Sequence, residues 1–162
     1  MQRETKRMIK VYAIAILIAV AVGGLSAWLT SGNMDIYTEL ETPPLSPPAI
    51  LFPIVWTILY VLMGISSAMI WLRKSDDPAV ADTGIAIYAV SLAFNFVWSI
   101  LFFNFRWILF SFIWLVALLA LIIATVVYYK KLSRLAAYLQ IPYAIWVTFA
   151  GYLNIGIWFL NR

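Results

Sequence analysis

The residues of this sequence that could do chemistry are indoles, phenols and amides. The chain has 162 residues with eight tryptophans and nine tyrosines, but no histidine and no cysteine. The missing histidine removes the commonest general base and metal ligand, and the missing cysteine removes disulfides and thiolate sites. Neither conventional acid–base catalysis nor a metal centre is therefore expected. What remains is binding, by aromatic stacking and by a few amide and hydroxyl groups.

Three apolar segments each place aromatic or amide residues on one helical face. The three sets are Trp56 with Tyr60, then Ser91, Asn95, Trp98 and Phe102, and finally Trp146, Ala150, Leu153 and Asn154. An amide in hydrocarbon must be hydrogen-bonded, so both asparagines are predicted to point into a helix bundle. Taken singly, each asparagine is better explained as a hydrogen bond between helices. Taken together, the faces predict an apolar pocket with few polar groups, suited to a flat hydrophobic ligand.

A proline-rich segment precedes the helix that carries Trp56. Five prolines fall between Pro43 and Pro53. Each proline fixes φ and removes a backbone donor, so Pro43 to Pro48 is predicted to form a stiff, extended lid at the mouth of the pocket. In the alternative interpretation the prolines only start the helix sharply, and Trp56 anchors it at the membrane interface.

The elements that position these faces are membrane-spanning helices. The chain is 65% hydrophobic and 11% charged, with a mean hydropathy of +0.95, whereas a soluble domain is about half apolar and about a quarter charged. The sequence predicts an all-α integral membrane protein, with one five-helix domain over residues 1–162 and a lid loop at 30–48. The first span is too long for a signal peptide, and no span contains Asp, Glu, Lys or Arg. The approximate spans are 11–29, 49–72, 85–105, 107–129 and 135–160.

The distribution of basic residues predicts the orientation of the bundle. Alternate segments outside the spans carry nine Lys and Arg on one side and two on the other. The positive-inside rule then predicts a cytoplasmic N-terminus and places the C-terminus and the lid outside. The formal charge of +4 does not indicate nucleic-acid binding, because the basic residues lie in short segments around the helices.

Depth in the predicted spans separates the tryptophans into two groups. Those near helix ends are interpreted as an interfacial belt, whereas the deeper ones need a partner for the indole N–H and are predicted to face protein. The belt group is Trp28, Trp71, Trp107 and Trp158, and the deep group is Trp56, Trp98, Trp114 and Trp146.

Three motifs, in order along nearly the whole chain, resemble those of a known family. They are P-x-x-P-P followed by P-x-V-W-x-x-L-Y-x-x-M-G (Pro44 to Gly64), A-x-N-x-x-W (Ala93 to Trp98) and P-Y-x-x-W-x-x-F-A-x-x-L-N (Pro142 to Asn154). Together they resemble the translocator protein family, also called TSPO, the tryptophan-rich sensory protein or the peripheral-type benzodiazepine receptor.

The resemblance implies five helices, often dimeric, that bind porphyrins, haem, isoquinoline carboxamide and benzodiazepine drugs and, in some members, cholesterol. No cofactor is required, since the tetrapyrrole would be a ligand or a substrate. The family is associated with light-dependent porphyrin degradation, for which Trp56 and Trp146 are the candidate oxidisable indoles. Carried over by motif, the pocket comprises Trp56, Asn95, Trp98, Trp146, Phe149 and Ala150, closed by lid residues Tyr37, Pro47 and Pro48. Tyr60 and Phe102 join this set because they share its helical faces.

Two departures from the family pattern limit what carries over. The lid reads Leu45-Ser46 where animal members have an aromatic residue, so its contacts are expected to differ. The C-terminal cholesterol motif is reduced to Leu153, Trp158 and Arg162, a degenerate form of a weak pattern. Cholesterol binding is therefore not expected, which suits a multi-pass protein of a bacterial cell membrane.

Self-association is predicted through small residues. Ala89 and Ala93 form a small-xxx-small pair roughly opposite the Asn95 face, so close packing there would leave the pocket free. Gly23 and Ala27 in the first span are the alternative pair.

Three functions remain open on the sequence alone. The first is a tetrapyrrole receptor or sensor, in which stacking would hold haem and only Tyr or Met could ligate its iron. The second is a transporter of porphyrins or other lipophilic molecules, although the spans contain no ionisable relay and show no inverted repeat. The third is a purely structural bundle, which leaves the deep Trp and Asn faces without a reason.

Overall fold

A computed structural model describes residues 2–162, and within that range all regular structure is helical. Five helices are long and apolar enough to cross a membrane, as predicted. The chain is thus an all-α, multi-pass membrane protein, while the direction of insertion stays a prediction. The spanning helices are α1 (Gln2–Thr30), α3 (Leu51–Leu72), α4 (Pro78–Ser99), α5 (Ile108–Leu132) and α6 (Arg134–Leu160), and α2 (Ile36–Glu39) is a short helix between the first two.

Two helices begin earlier than the predicted spans. α1 starts at Gln2 rather than at residue 11, because its charged first turns consist mainly of good helix formers. α4 starts at Pro78 rather than at residue 85. Its N-cap is Asp77, whose carboxylate accepts a hydrogen bond from the Val80 N–H at 3.1 Å, and proline is favoured at the first helical position. Hydropathy marks where a helix enters hydrocarbon, not where the helix begins.

The segment between α1 and α3 is partly helical. A 3₁₀ turn at Ser31–Asn33 and the four-residue α2 precede the prolines. Residues 43–48 are not helical, as the prolines predicted, but the expectation of an extended segment is wrong at its start. The chain turns at Pro44 and Leu45, where the Ser46 N–H donates to the Pro43 carbonyl at 3.3 Å. Leu45 adopts a positive φ of 69° and is exposed.

A π-helical turn ends α4. It covers Ile100–Asn104 and is closed by the Phe105 N–H, which donates to the Ile100 carbonyl at 3.1 Å. Arg106 then takes a positive φ of 53°, and α5 begins two residues later. The wider turn inserts an extra residue into the helical repeat, so the two neighbours Phe102 and Phe103 are both buried.

Glycines allow α1 to lie close against α3. A Cβ at Gly64 would stand 2.5 Å from the Cα of Ile16, so only glycine permits this approach of the two backbones. A Cβ at Gly23 would overlap the ring of Tyr60. Gly23 is therefore packed beneath Tyr60 of the same chain. Of the alternative self-association pair Gly23 and Ala27, only Ala27 remains exposed.

Polar side chains connect the remaining helices. Gln140 of α6 donates to the Ser66 hydroxyl of α3 at 3.2 Å, and Ser66 donates to the Ala136 carbonyl at 2.8 Å. The Trp114 indole of α5 donates to the Phe94 carbonyl of α4 at 2.8 Å, and the two rings stack at 4.3 Å. Such bonds replace water as the partner of polar groups inside a bilayer.

Candidate functional site

The three predicted faces converge between α3, α4 and α6, at the end of the bundle that carries the lid. Trp56 of α3 lies 6.2 Å from the ring of Tyr143 of α6, and it stacks on Tyr60 at 5.6 Å. On α4, Ser91, Asn95, Trp98 and Phe102 are all buried. The predicted inward direction of the α4 face is confirmed.

A hydrogen bond joins the α3 and α4 faces. The Asn95 amide donates to the Tyr60 hydroxyl at 2.7 Å, and the two residues are 2% and 8% exposed. Asn95 therefore fits both roles considered from the sequence. It joins α4 to α3 by a hydrogen bond, and it also lies in the wall of the candidate site. Asn154 behaves differently: its amide nitrogen and oxygen are buried without a hydrogen-bond partner among residues 2–162.

Two indole N–H groups at the site also lack partners within the described chain. They are Nε1 of Trp98 and Nε1 of Trp146. A buried donor without an acceptor costs about 1–3 kcal/mol relative to a satisfied one, so such groups require an explanation. With Asn154 they form a set of polar atoms able to bond an apolar molecule that carries a few acceptors.

An aromatic plug fills the space between the lid and the helices. The plug consists of Tyr37 from the lid segment and Phe52 from the first turn of α3, with ring centroids 5.1 Å apart. Phe52 lies edge-on to Trp146 at 5.9 Å, and Tyr37 lies 6.0 Å from Phe102. Burial raises the pKa of the Tyr37 phenol above its ordinary value, so this ring enters the site uncharged.

Sequence reasoning missed two aromatic residues of this site. Phe52 is four residues before Trp56 and so shares its face, a signal that was available. Phe103 is 6.1 Å from Tyr37 and 6.2 Å from Trp98. A regular helical repeat cannot place both Phe102 and Phe103 inward, and only the π-helical turn brings Phe103 to the site.

The lid is fastened to α6 by what we call the lid clasp, formed by Glu41, Pro43 and Pro44 with Tyr152, Gly156 and Asn161. The Asn161 side chain accepts from the Glu41 N–H and donates to the Glu41 carbonyl, both at 2.9 Å. The Tyr152 hydroxyl donates to the Pro44 carbonyl at 2.7 Å. Gly156 lies against the ring of Pro43, where a Cβ would approach within 2.7 Å.

Polar contacts also hold the other edge of the lid. Glu39 forms an ion pair with Arg106 at 2.7 Å, and Asn33 donates to the Asn104 side chain at 2.9 Å. The hydrogen bonds and the ion pair on both edges are solvent-exposed and individually weak, whereas Pro43 is buried against Gly156.

The other predicted site residues, on α6 and in the lid, differ in how deeply they are buried. Ala150 is buried at 7% exposure, one turn beyond Trp146. Phe149 is half-buried and lies between Trp146 at 5.6 Å and Tyr152 of the clasp at 6.1 Å. Pro47 is half-buried and Pro48 is exposed, so the residues that fasten the lid precede this pair.

Comparison with known proteins identifies the same family as the three sequence motifs. A family model described as the TspO/MBR family matches residues 14–159. Protein CrtK of Rhodobacter capsulatus is 36% identical over 155 residues, covering 93% of this chain and 91% of its own length. Tryptophan-rich protein TspO of Chlorobaculum tepidum is 34% identical, with coverages of 96% and 98%. The translocator protein of Bos taurus is 33% identical, with coverages of 93% and 90%.

Proposed function

The chain belongs to the TspO/MBR family, and from this premise we propose that it is a membrane receptor or sensor for tetrapyrroles. Its ligands would be protoporphyrin and haem, with isoquinoline carboxamide and benzodiazepine-type molecules at the same site. The ligand would lie between α3, α4 and α6, in the half of the bilayer next to the lid.

The observation that supports this proposal most strongly is the set of buried polar atoms without partners. Trp98, Trp146 and Asn154 present indole and amide groups that no described residue satisfies. The two indoles lie beside aromatic rings, Trp98 against Phe102 and Trp146 against Phe52, where a flat aromatic molecule would make contacts on its faces and hydrogen bonds at its edge. The Tyr88 and Tyr129 hydroxyls also lack partners among residues 2–162, so the support for a ligand comes from this grouping of indoles and rings.

Binding would require the plug to move. Tyr37 and Phe52 occupy the space between Phe102 and Trp146, so a large ligand would displace both rings and open the lid. A tyrosine phenol is neutral at physiological pH even when it is exposed, because its ordinary pKa is about 10. The Tyr37 ring can therefore line the mouth of the open site without introducing a charge.

Haem and metal-free porphyrin would be held in similar ways. With neither histidine nor cysteine in the chain, the iron would find only Tyr or Met as a protein ligand. Trp56 and Trp146 would be the oxidisable groups beside a bound ring. On illumination in the presence of oxygen, the excited porphyrin would take one electron from an indole and pass it to O2. The indole radical and the reduced oxygen species formed in this way would then oxidise the macrocycle.

A fluorescence titration of protoporphyrin into the purified protein tests the proposal. Wild type is compared with Ala150→Leu, which adds bulk at the buried centre, and with Ala117→Leu, which makes the same change on the exposed surface of α5. Overpacking by ~1–3 kcal/mol predicts affinity about tenfold to a hundredfold lower for Ala150→Leu only. Equal affinity in all three proteins, with unchanged melting curves, would exclude this pocket.

Transport of porphyrins or other lipophilic molecules is the second candidate, favoured by the name of the bovine relative. The predicted spans contain no ionisable side chain that could couple movement to an ion gradient. Transport would therefore be passive, by way of the lid and the lipid phase. Porphyrin flux into proteoliposomes separates this function from binding alone.

A homodimer is proposed on the surface of α4 that carries Ala89 and Ala93. Both residues are exposed within the monomer, as a close helix–helix contact requires. Loss of cross-linked dimer in Ala93→Leu, with porphyrin affinity retained, is the expected result.

A further inference from the structure

A second cavity lies outside the aromatic site, between α1, α3 and α4. We call it the basic-end groove, because it lies at the end of the bundle where α1 begins. Its volume is about 410 Å³, within the ~300–1,000 Å³ typical of small-molecule sites. Residues that line it include Ile14 and Ile18 of α1, Ala68 and Trp71 of α3, and Tyr88 and Ala89 of α4.

The groove opens towards the lipid phase and offers a nearly apolar wall. Ile14 and Ile18 are about half exposed, and Ala89 is exposed. Two lining residues carry hydroxyl groups. Ser67 already donates to the Gly64 carbonyl of its own helix at 3.1 Å, and the Tyr88 hydroxyl is buried without a hydrogen-bond partner among residues 2–162. The rest of the wall is almost entirely apolar, so a bound molecule would present mainly hydrocarbon to the groove.

The mouth of the groove is positively charged. Val11, Ile14 and Ile18 follow one stripe of α1, and Arg7 and Lys10 continue that stripe towards the helix start, four residues before Val11 and Ile14. Neither residue forms an ion pair within residues 2–162. Asp82 of α4, on the opposite wall, is already paired with Lys74 of α3. Two unpaired cations thus lie above an apolar groove.

The whole end of the bundle at which α1 begins is also positively charged. Nine of the eleven Lys and Arg residues belong to it, against four Asp and Glu. Clusters of basic residues beside a spanning helix attract anionic lipids, with about 1 kcal/mol for each charge near the surface.

We propose that the basic-end groove binds one acyl chain of an anionic phospholipid, whose phosphate lies against Arg7 and Lys10. The apolar wall accepts the chain, and the two cations select the headgroup. The site is separate from the aromatic site, at the opposite end of the helices, and does not depend on tetrapyrrole binding.

Native mass spectrometry of the purified protein tests this assignment. The protein is mixed with phosphatidylglycerol and phosphatidylcholine of identical chains, and bound lipids are counted. Wild type is expected to retain phosphatidylglycerol in preference to phosphatidylcholine. The double variant Arg7→Gln/Lys10→Gln should lose that preference by roughly fivefold for each charge removed. The double variant Lys130→Gln/Lys131→Gln removes two cations from the same end of the bundle but away from the groove. It should keep the preference for phosphatidylglycerol.

A second pair of variants tests the groove itself. Ala89→Phe fills the groove and should lower retention of both lipids roughly tenfold. Ala117→Phe makes the same change at an exposed residue of α5 that does not line the groove, and should have no effect on lipid. Melting curves and oligomeric state are recorded for all variants.

Three results would overturn the proposal. Equal loss of preference in the two double variants would mean that the protein attracts lipid only through its overall charge. Unchanged retention in folded Ala89→Phe would place the lipid elsewhere. Because Ala89 also belongs to the proposed homodimer surface, lipid and a second copy of the chain exclude each other there. Loss of dimer as well as lipid in Ala89→Phe would make the groove a contact between two copies of the chain.

Discussion

The Asn95 side-chain amide donates to the Tyr60 hydroxyl at 2.7 Å across the interface of α4 and α3. Both groups are buried, and the Tyr60 ring also covers Gly23 of α1 and stacks on Trp56. One tyrosine therefore connects three helices and supports one wall of the aromatic site.

Removal of this hydroxyl is expected to destabilise the fold. Tyr60→Phe leaves the Asn95 amide buried without its acceptor, and the expected loss is about 1–2 kcal/mol of unfolding free energy. Tyr143→Phe is the matched control, because the buried Tyr143 hydroxyl has no hydrogen-bond partner among residues 2–162. Unfolding in mixed micelles measures both. Equal effects of the two changes would show that the bond contributes nothing.

The close approach of α1 and α3 gives a second prediction. Gly64→Ala places a Cβ 2.5 Å from the Cα of Ile16, so the two helices must separate. The expected destabilisation is ~1–3 kcal/mol, even though alanine favours the helix. Gly24→Ala, where no atom lies within 4 Å, should be neutral or stabilising in the same unfolding assay. Equal destabilisation by both changes would show that the close approach of Gly64 to Ile16 is not the cause, because alanine favours the helix at either position.

The sequence predicts the helices and the α4 face well because both follow from local rules. A charge-free apolar span must cross the bilayer, and Asn95 must face inward to be satisfied. Of the site residues that were missed, Phe52 follows the same local rule and could have been predicted from its spacing to Trp56, whereas Phe103 depends on irregular structure. Phe103 faces inward only because α4 ends in a π-helical turn.

The lid contacts could not be predicted for a related reason. The clasp pairs Glu41 with Asn161, residues 120 positions apart. The family motifs predicted lid contacts at Pro47 and Pro48. The polar residues that fasten the lid belong to no motif or periodic pattern. Prolines determine that this segment is stiff, but not what it touches.

The lid clasp is expected to control opening of the lid. Asn161→Ala removes two hydrogen bonds to Glu41, each worth about 0.5–1.5 kcal/mol, so hydrogen exchange at the Glu41 amide should be about tenfold faster or more. Asn33→Ala, which loses only the contact to Asn104, should leave this amide unchanged. Unaltered exchange in Asn161→Ala would mean that other contacts hold the lid.

Orientation in the membrane can be tested because the chain has no native cysteine. The charge distribution predicts that Asp35→Cys is labelled by an impermeant reagent from outside intact cells, whereas Ser75→Cys and Lys131→Cys are not. All three positions are exposed in the structure, so the side of the membrane, not burial, decides the result. Labelling at Ser75→Cys alone would reverse the orientation.

The last prediction concerns the chemistry of the indoles. Trp56 stacks on Tyr60, and Trp146 lies edge-on to Phe52 with an unpartnered Nε1. Stacking contributes about 0.5–1.5 kcal/mol beyond burial, so Trp56→Phe or Trp146→Phe should weaken porphyrin binding only several-fold. The decisive measurement is therefore the rate of protoporphyrin bleaching under illumination with saturating protein, where differences in affinity no longer matter.

If an indole donates an electron or hydrogen to the excited porphyrin, phenylalanine cannot replace it and the saturated rate should collapse. Trp28→Phe is the matched control, since Trp28 lies near the C-terminus of α1 and is 71% exposed on the surface of the bundle. It should bleach porphyrin at the wild-type rate. Equal saturated rates in wild type and both site variants would contradict the chemical role. The aromatic site would then bind a photosensitiser without taking part in its degradation.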